Sequence, residues 1–207
     1  MKLFLTSFFP VAGQVEALTE LVGKPPSETR VAYIENAHDV YNDEASLIEG
    51  RELIRNEGYV DLELVDLRNY TNDRDGLQRT LKGKDVFLLA GGNPFYLRWL
   101  MKESGADQII TELVERGTVY VAASAAAVVA GPTLRNFDNQ DDPGEAKEVI
   151  WDGLNLTDIV VVPHIDNAEF GQGCREAGEA CKRAGFETQF ITDAQSLVIN
   201  GNKHHLI

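Results

Sequence analysis

Short apolar, β-branched runs alternate with stretches of helical period along almost the whole chain, and this alternation constrains the fold more than any other feature. Residues 2–6 read as a strand and 15–22 as a helix. Strands follow at 30–34, 60–66, 86–90 and 118–122. Between them lie helices at 44–56 and 74–81, a helix with Leu97, Leu100 and Met101 on one face, and another at 107–116. Strands separated by helices need crossover connections, and near-continuous apolar strands belong in a sheet covered on both faces. The expected fold is therefore an α/β three-layer sandwich with a mostly parallel central sheet.

Residues 131–153 depart from the pattern, being rich in Asp, Asn and Pro, with one short helical stretch expected near 145–150. A strand at 159–163 and a helix at 173–184 follow, then strands at 187–191, 196–200 and 204–207. The last two read as a hairpin about Asn200-Gly201-Asn202. A length of 207 residues without repeat or linker suits one domain spanning 1–207.

Net charge excludes one class of partner. With 19 basic against 33 acidic residues the chain carries -14, a repulsive field for any nucleic acid. No apolar run is long enough to span a bilayer, and the amino-terminal segment lacks a cleavable leader pattern, so a cytoplasmic protein without a membrane partner is expected. Cys174 and Cys181 are seven residues apart on an expected helix, a rise of ~10 Å that a disulfide cannot bridge. Free thiols are expected, and no metal-binding spacing or cofactor motif occurs.

Three strand ends carry candidate chemistry. In Val121-Ala122-Ala123-Ser124-Ala125-Ala126-Ala127 a strand passes abruptly into a helix with one hydroxyl at the joint. A nucleophile on such an elbow needs tiny neighbours and a free following amide, although Ser124 also reads as an ordinary helix N-cap. Gly91-Gly92-Asn93-Pro94 follows a central strand, where open α/β sheets place their clefts. The Gly92 and Ala125 amides form a candidate oxyanion hole, while Asn93 and Pro94 also suit the N-cap and first position of a helix. His164, in Pro163-His164-Ile165-Asp166, ends another buried strand; it is either a base for Ser124 or a structural histidine. His38, after the second strand, is placed on the same rim, and His204 and His205 in an exposed terminal strand.

Together, the Gly-Gly-Asn turn, the Ser-Ala elbow running into Ala-Gly-Pro-Thr-Leu, and Pro-His-Ile-Asp resemble the peptidase E family of aspartyl dipeptidases and cyanophycinase-like enzymes. The resemblance covers residues 86–167 in order. It implies a flavodoxin-like sandwich, similar to the class I glutamine amidotransferases, and a serine-type peptidase with Ser124 as nucleophile and His164 as base. It also implies short peptide substrates with an amino-terminal aspartate, and an acid in the loop after the elbow. Asp138 is the first choice for that acid, Asp141 the second, with Asp142 better suited to starting a helix; Asp166 is a poorer orienter. Asn93 and Arg135 are the expected substrate-binding residues, and Arg98 is a further candidate cation. The family commonly reads Ser-Ala-Gly where this chain has Ser124-Ala125-Ala126. That keeps a second reading open, a non-catalytic ligand-binding relative. No cofactor is expected, and the assembly is a monomer or homodimer.

Overall fold

A computed structural model describes all residues from Met1 to Ile207. Nine strands and seven α-helices run in the order β1 (Lys2–Thr6), α1 (Gln14–Val22), β2 (Arg30–Ile34), α2 (Glu44–Asn56), β3 (Asp61–Leu64), α3 (Arg74–Leu81), β4 (Val86–Leu89), α4 (Pro94–Ser104), α5 (Ala106–Glu115), β5 (Val119–Ala123), α6 (Ala125–Ala130), β6 (Ile159–Val162), α7 (Gly171–Arg183), β7 (Glu187–Phe190), β8 (Ser196–Asn200) and β9 (Lys203–Leu206).

Seven strands form the central sheet in the order β3-β2-β4-β5-β1-β8-β9. The first five are mutually parallel, β8 lies antiparallel to β1, and β9 closes the expected hairpin. Alternation along each strand divides the core. Phe4, Val31, Tyr33, Val86, Leu88, Val119 and Val121 face one side, where Leu18, Leu21 and Ile54 of α1 and α2 cover them. Leu3, Leu5, Ile34, Phe87, Leu89, Tyr120 and Ala122 face the other, packed with residues of α3 to α7. Each central strand is buried on both faces, which is why those segments read as continuous apolar runs. No helix is long and apolar enough to cross a membrane.

Two expectations fail in the same region. β6 and β7 do not join the central sheet but form a separate parallel pair. β6 is packed between α6 and α7, so both its faces are apolar although it lies outside the main sheet. The helix expected at 145–150 is absent; only Pro143–Glu145 makes a 3₁₀ turn. The chain beyond it runs as bends and then extended backbone, with Ala146 buried and Val149 and Trp151 packed on the core. Those apolar contacts outweigh the weak helical period of so short a segment.

α7 sits directly on the β6–β7 pair through Gly178. A Cβ there would lie 2.5 Å from Phe190 Cε1 and 2.8 Å from Val162 Cγ2. Gly178→Val is therefore expected to lower unfolding free energy by ~1–3 kcal/mol through overpacking. Urea denaturation with an unchanged m value would show it.

Candidate active site

The carboxyl ends of β1, β2, β4, β5 and β6 converge on one edge of the molecule, and Ser124 stands at its centre. The residue has φ 53 and ψ -119, a region that L side chains seldom occupy, between the end of β5 and the first residue of α6. Its N–H donates to Thr6 O at 2.8 Å, and its carbonyl accepts from Ala127 N–H at 2.9 Å, so the bend is held from both sides. Its hydroxyl does not cap α6. Instead Oγ lies 2.8 Å from His164 Nε2.

His164 is also in the left-handed region, at φ 61. Its N–H donates to Ser7 Oγ at 2.9 Å, and Ser7 Oγ–H donates to Thr192 O at 3.0 Å. The ring is flanked by Phe8 at 4.7 Å and Phe170 at 5.5 Å between centroids. Its Nδ1 is 2.7 Å from Asp193 Oδ1. A carboxylate only accepts, so Nδ1 carries the proton and Nε2 is left to accept from the Ser124 hydroxyl. Both Asp193 oxygens are engaged, because Oδ2 accepts from Asn167 Nδ2 at 2.7 Å, and the Asp193 N–H donates to Asp166 Oδ1 at 2.8 Å. Asp166 thus orients Asp193 and does not touch the imidazole.

Asp193 corrects the expected choice of acid. Asp138 is exposed and lies on a different loop, whereas Asp193 follows β7. β6 and β7 are parallel with Val162 opposite Phe190, so His164, two residues on, and Asp193, three residues on, emerge side by side. The strand at 187–191 is legible in the sequence, and an acid just beyond its end was the available signal. Its parallel pairing with β6 was not legible.

Gly91 and Gly92 line the opposite side of Ser124. A Cβ on Gly91 would lie 3.0 Å from Ser124 Cβ. Gly92 has φ 142, and a Cβ there would fall 2.1 Å from Ala37 O, so no other residue fits. Its N–H has no backbone acceptor, and Ala125, first residue of α6, has none within its helix. Two amides are therefore without acceptors, one directly after Ser124 and the other directly after the Gly91 that packs on it.

Three other expected residues take other roles. Asn93 is buried and fully used: Oδ1 caps α4 by accepting from Phe95 and Tyr96 N–H, both at 2.9 Å, and Nδ2 donates to Asp142 O at 2.9 Å. Arg135 lies along α7 near Cys181, whose Sγ–H donates to its carbonyl at 3.5 Å. Ten residues, ~15 Å, of helix separate Cys181 from Gly171, the end of α7 beside His164. The Arg135 guanidinium stacks over Trp151 at 5.2 Å. Arg98 pairs with Asp107 at 3.2 Å and donates to Asp152 O at 3.0 Å, in an open polar depression of about 470 Å³ that includes neither Ser124 nor His164. Asp142 caps the 3₁₀ turn as expected. His204 and His205 are exposed in β9.

His38 does reach the rim: its backbone N lies 2.7 Å from the position a Gly92 Cβ would take, and its Nε2 is buried without a hydrogen-bond partner. Cys174 and Cys181 are free and buried. Burial, with the nearby charges of Asp141 and Asp193, pushes the Cys174 thiol up to about 11, so it stays protonated near neutral pH and is no rival nucleophile.

The peptidase family S51 model matches residues 6–207. The chain belongs to peptidase family S51. An uncharacterized peptidase of Listeria innocua is 32% identical over 170 residues, covering 82% of this chain and 78% of that one. Peptidase E of Escherichia coli is 33% identical over 90 residues, 42% of this chain and 37% of that one. Among solved structures, a candidate peptidase E protein of Listeria monocytogenes superposes over 100% of this chain and 97% of its own, with TM-score 0.83 and 25% identity. A peptidase from an acI-B1 actinobacterium, 17% identical with TM-score 0.73 over 100% of this chain and 86% of its own, shares the fold. The S51 protein is thus a serine peptidase built on a three-layer α/β sandwich.

Ala126, where the family commonly has glycine, lies inside α6 and is not among the residues with positive φ. Its methyl group carries no backbone strain. Ala126→Gly is expected to lower stability by ~0.5–1 kcal/mol and to leave peptidase activity no higher than the parent's, as thermal unfolding and turnover measured together would show.

Proposed function

We propose that the protein hydrolyses short peptides with an amino-terminal aspartate, using Ser124 as nucleophile, His164 as base and Asp193 as the group that holds the imidazole tautomer. One observation carries the reading: Ser124 Oγ, His164 and Asp193 form a continuous chain of hydrogen bonds at 2.8 and 2.7 Å. His164 Nε2 takes the hydroxyl proton as Oγ attacks the scissile carbonyl carbon. The resulting oxyanion is received by the Gly92 and Ala125 N–H groups. His164 then gives the proton to the leaving amine, the C–N bond breaks, and an acyl-enzyme remains. Water, deprotonated by the same imidazole, releases the acid and restores Ser124.

The preference for aspartate is supported by the resemblance to peptidase E and by what the rim offers. Arg135 and Arg98 are committed elsewhere. Arg175 is the arginine nearest the imidazole, its Nη1 donating to Ile165 O next to His164, and its other guanidinium nitrogens suit a substrate carboxylate.

A fluorophosphonate probe should label the parent on Ser124 and fail on Ser124→Ala. Hydrolysis of Asp-Leu should exceed that of Asn-Leu, Ala-Leu and Glu-Leu. Ser124→Ala or His164→Ala should cut turnover by about three powers of ten or more, and Asp193→Asn by ~10³–10⁴. Asp138→Asn should leave it within about twofold, as its exposed site predicts. An unlabelled parent, or equal activity in Asp193→Asn, would overturn the mechanism. Equal rates on Asp-Leu and Asn-Leu would overturn the specificity.

A further inference from the structure

Residues 139–142 form a strap across the site. At one end Asn139 Nδ2 donates to Gly173 O at 3.1 Å, and Cys174 Sγ–H donates to Gln140 Oε1 at 3.6 Å, both in the first turn of α7. That turn abuts the strand end bearing His164, since a Cβ on Gly171 would lie 2.8 Å from Ile165 O and 3.0 Å from His164 O. At the other end Asp142 O accepts from Asn93 Nδ2, one residue from Gly92. The strap therefore joins the His164 wall to the Gly92 wall, and Ser124 stands between them.

Asp141 sits in the middle of this strap. Its carboxylate is half-buried and accepts one hydrogen bond, from the Tyr41 hydroxyl at 2.9 Å. Tyr41 in turn packs against His38, with ring centroids 5.2 Å apart, on the Gly92 side of the cleft. No lysine or arginine pairs with Asp141. Arg68, on the same side of the sheet, is taken by Asp66 at 2.8 Å and Asp39 at 3.5 Å. A carboxylate withdrawn from water and given a single neutral donor lacks the cation that ordinarily accompanies such burial. Burial accordingly pushes its pKa up. The missing cation is one that a peptide brings with it.

We propose that Asp141 binds the free α-ammonium of the substrate's amino-terminal residue. The inference rests on the serine-peptidase mechanism above and adds the group that reads the peptide from its amino end. An ammonium held there lies two bonds from the first carbonyl carbon, so the bond presented to Ser124 is the first peptide bond. Tyr41 holds the carboxylate through that one hydrogen bond, its hydroxyl remaining a donor because burial and Asp141 both raise its pKa.

The test compares Asp141→Asn, which keeps the shape and can still accept from Tyr41, with Asp141→Ala and Tyr41→Phe. Asp-Leu is the substrate. Succinyl-Leu, the same molecule without its ammonium, is the competitive inhibitor. Asp141→Asn and Asp141→Ala should lower kcat/KM for Asp-Leu by about 30-fold or more, chiefly through KM. Both should leave the succinyl-Leu inhibition constant and the rate of fluorophosphonate labelling within threefold of the parent. Tyr41→Phe should keep most of the preference for the free amine. Asp-Leu hydrolysis by Asp141→Asn within threefold of the parent would overturn the proposal. So would an equal weakening of Asp-Leu and succinyl-Leu, which marks a structural role. Failure of the parent itself to be labelled would instead overturn the mechanism beneath it.

Discussion

The bend at Ser124 is the constraint on which the site depends. A non-glycine residue at φ 53 and ψ -119 costs on the order of 1–3 kcal/mol, and the surroundings must supply that. β5 lies between β4 and β1, so the strand entering the bend cannot shift. The amide of Ser124 is tied to the end of β1, its carbonyl begins the ladder of α6, and Gly91 passes close enough that any side chain there would press on Ser124 Cβ. The same bend that strains the backbone turns Oγ out of the helix-capping position and toward an imidazole. It also leaves the Ala125 N–H without an intrahelical partner, so one local distortion yields both a directed hydroxyl and a free donor.

The imidazole is brought by a different piece of architecture. β6 and β7 stand apart from the central sheet, and their parallel register delivers His164 and Asp193 to adjacent strand ends. Ser7, at the end of β1, couples this small sheet to the large one through His164 N–H and Thr192 O. Phe8 and Phe170 pack on the ring and shield it from water, which strengthens the short hydrogen bonds on both of its nitrogens. The fit of α7 at Gly178 fixes how deep this layer sits. Chemistry at Ser124 therefore depends on packing well removed from it.

The acidic excursion between α6 and β6 turns out to be part of the cleft. Its apolar residues Leu134, Phe137 and Ala146 are buried, while its polar stretch bridges α7 and the N-cap of α4. Net charge of -14 disfavours polyanions, so a small peptide carrying carboxylates needs local donors at the cleft to offset the field of the chain.

Most strands and helices were legible because their periodicity reflects burial: β2, α2 and α3 lie where the pattern placed them. Ser124, His164 and the Gly91-Gly92 turn were legible because tight bends and close approaches admit few residue types, so local sequence betrays them. Asp193 was not, since an aspartate after a strand looks like any solvated loop acid until the neighbouring strand is known. Nor did sequence reveal that Asn93 spends its amide on a helix cap and the strap, or that Arg135 is drawn to Trp151 along α7. Local sequence determined which segments fold as strand or helix and which bend holds the hydroxyl, because those depend on side-chain size and pattern over a few residues. Tertiary structure alone decided which acid meets the imidazole and which hydroxyl meets Asp141, because those pairings join segments tens of residues apart through strand register and layer packing.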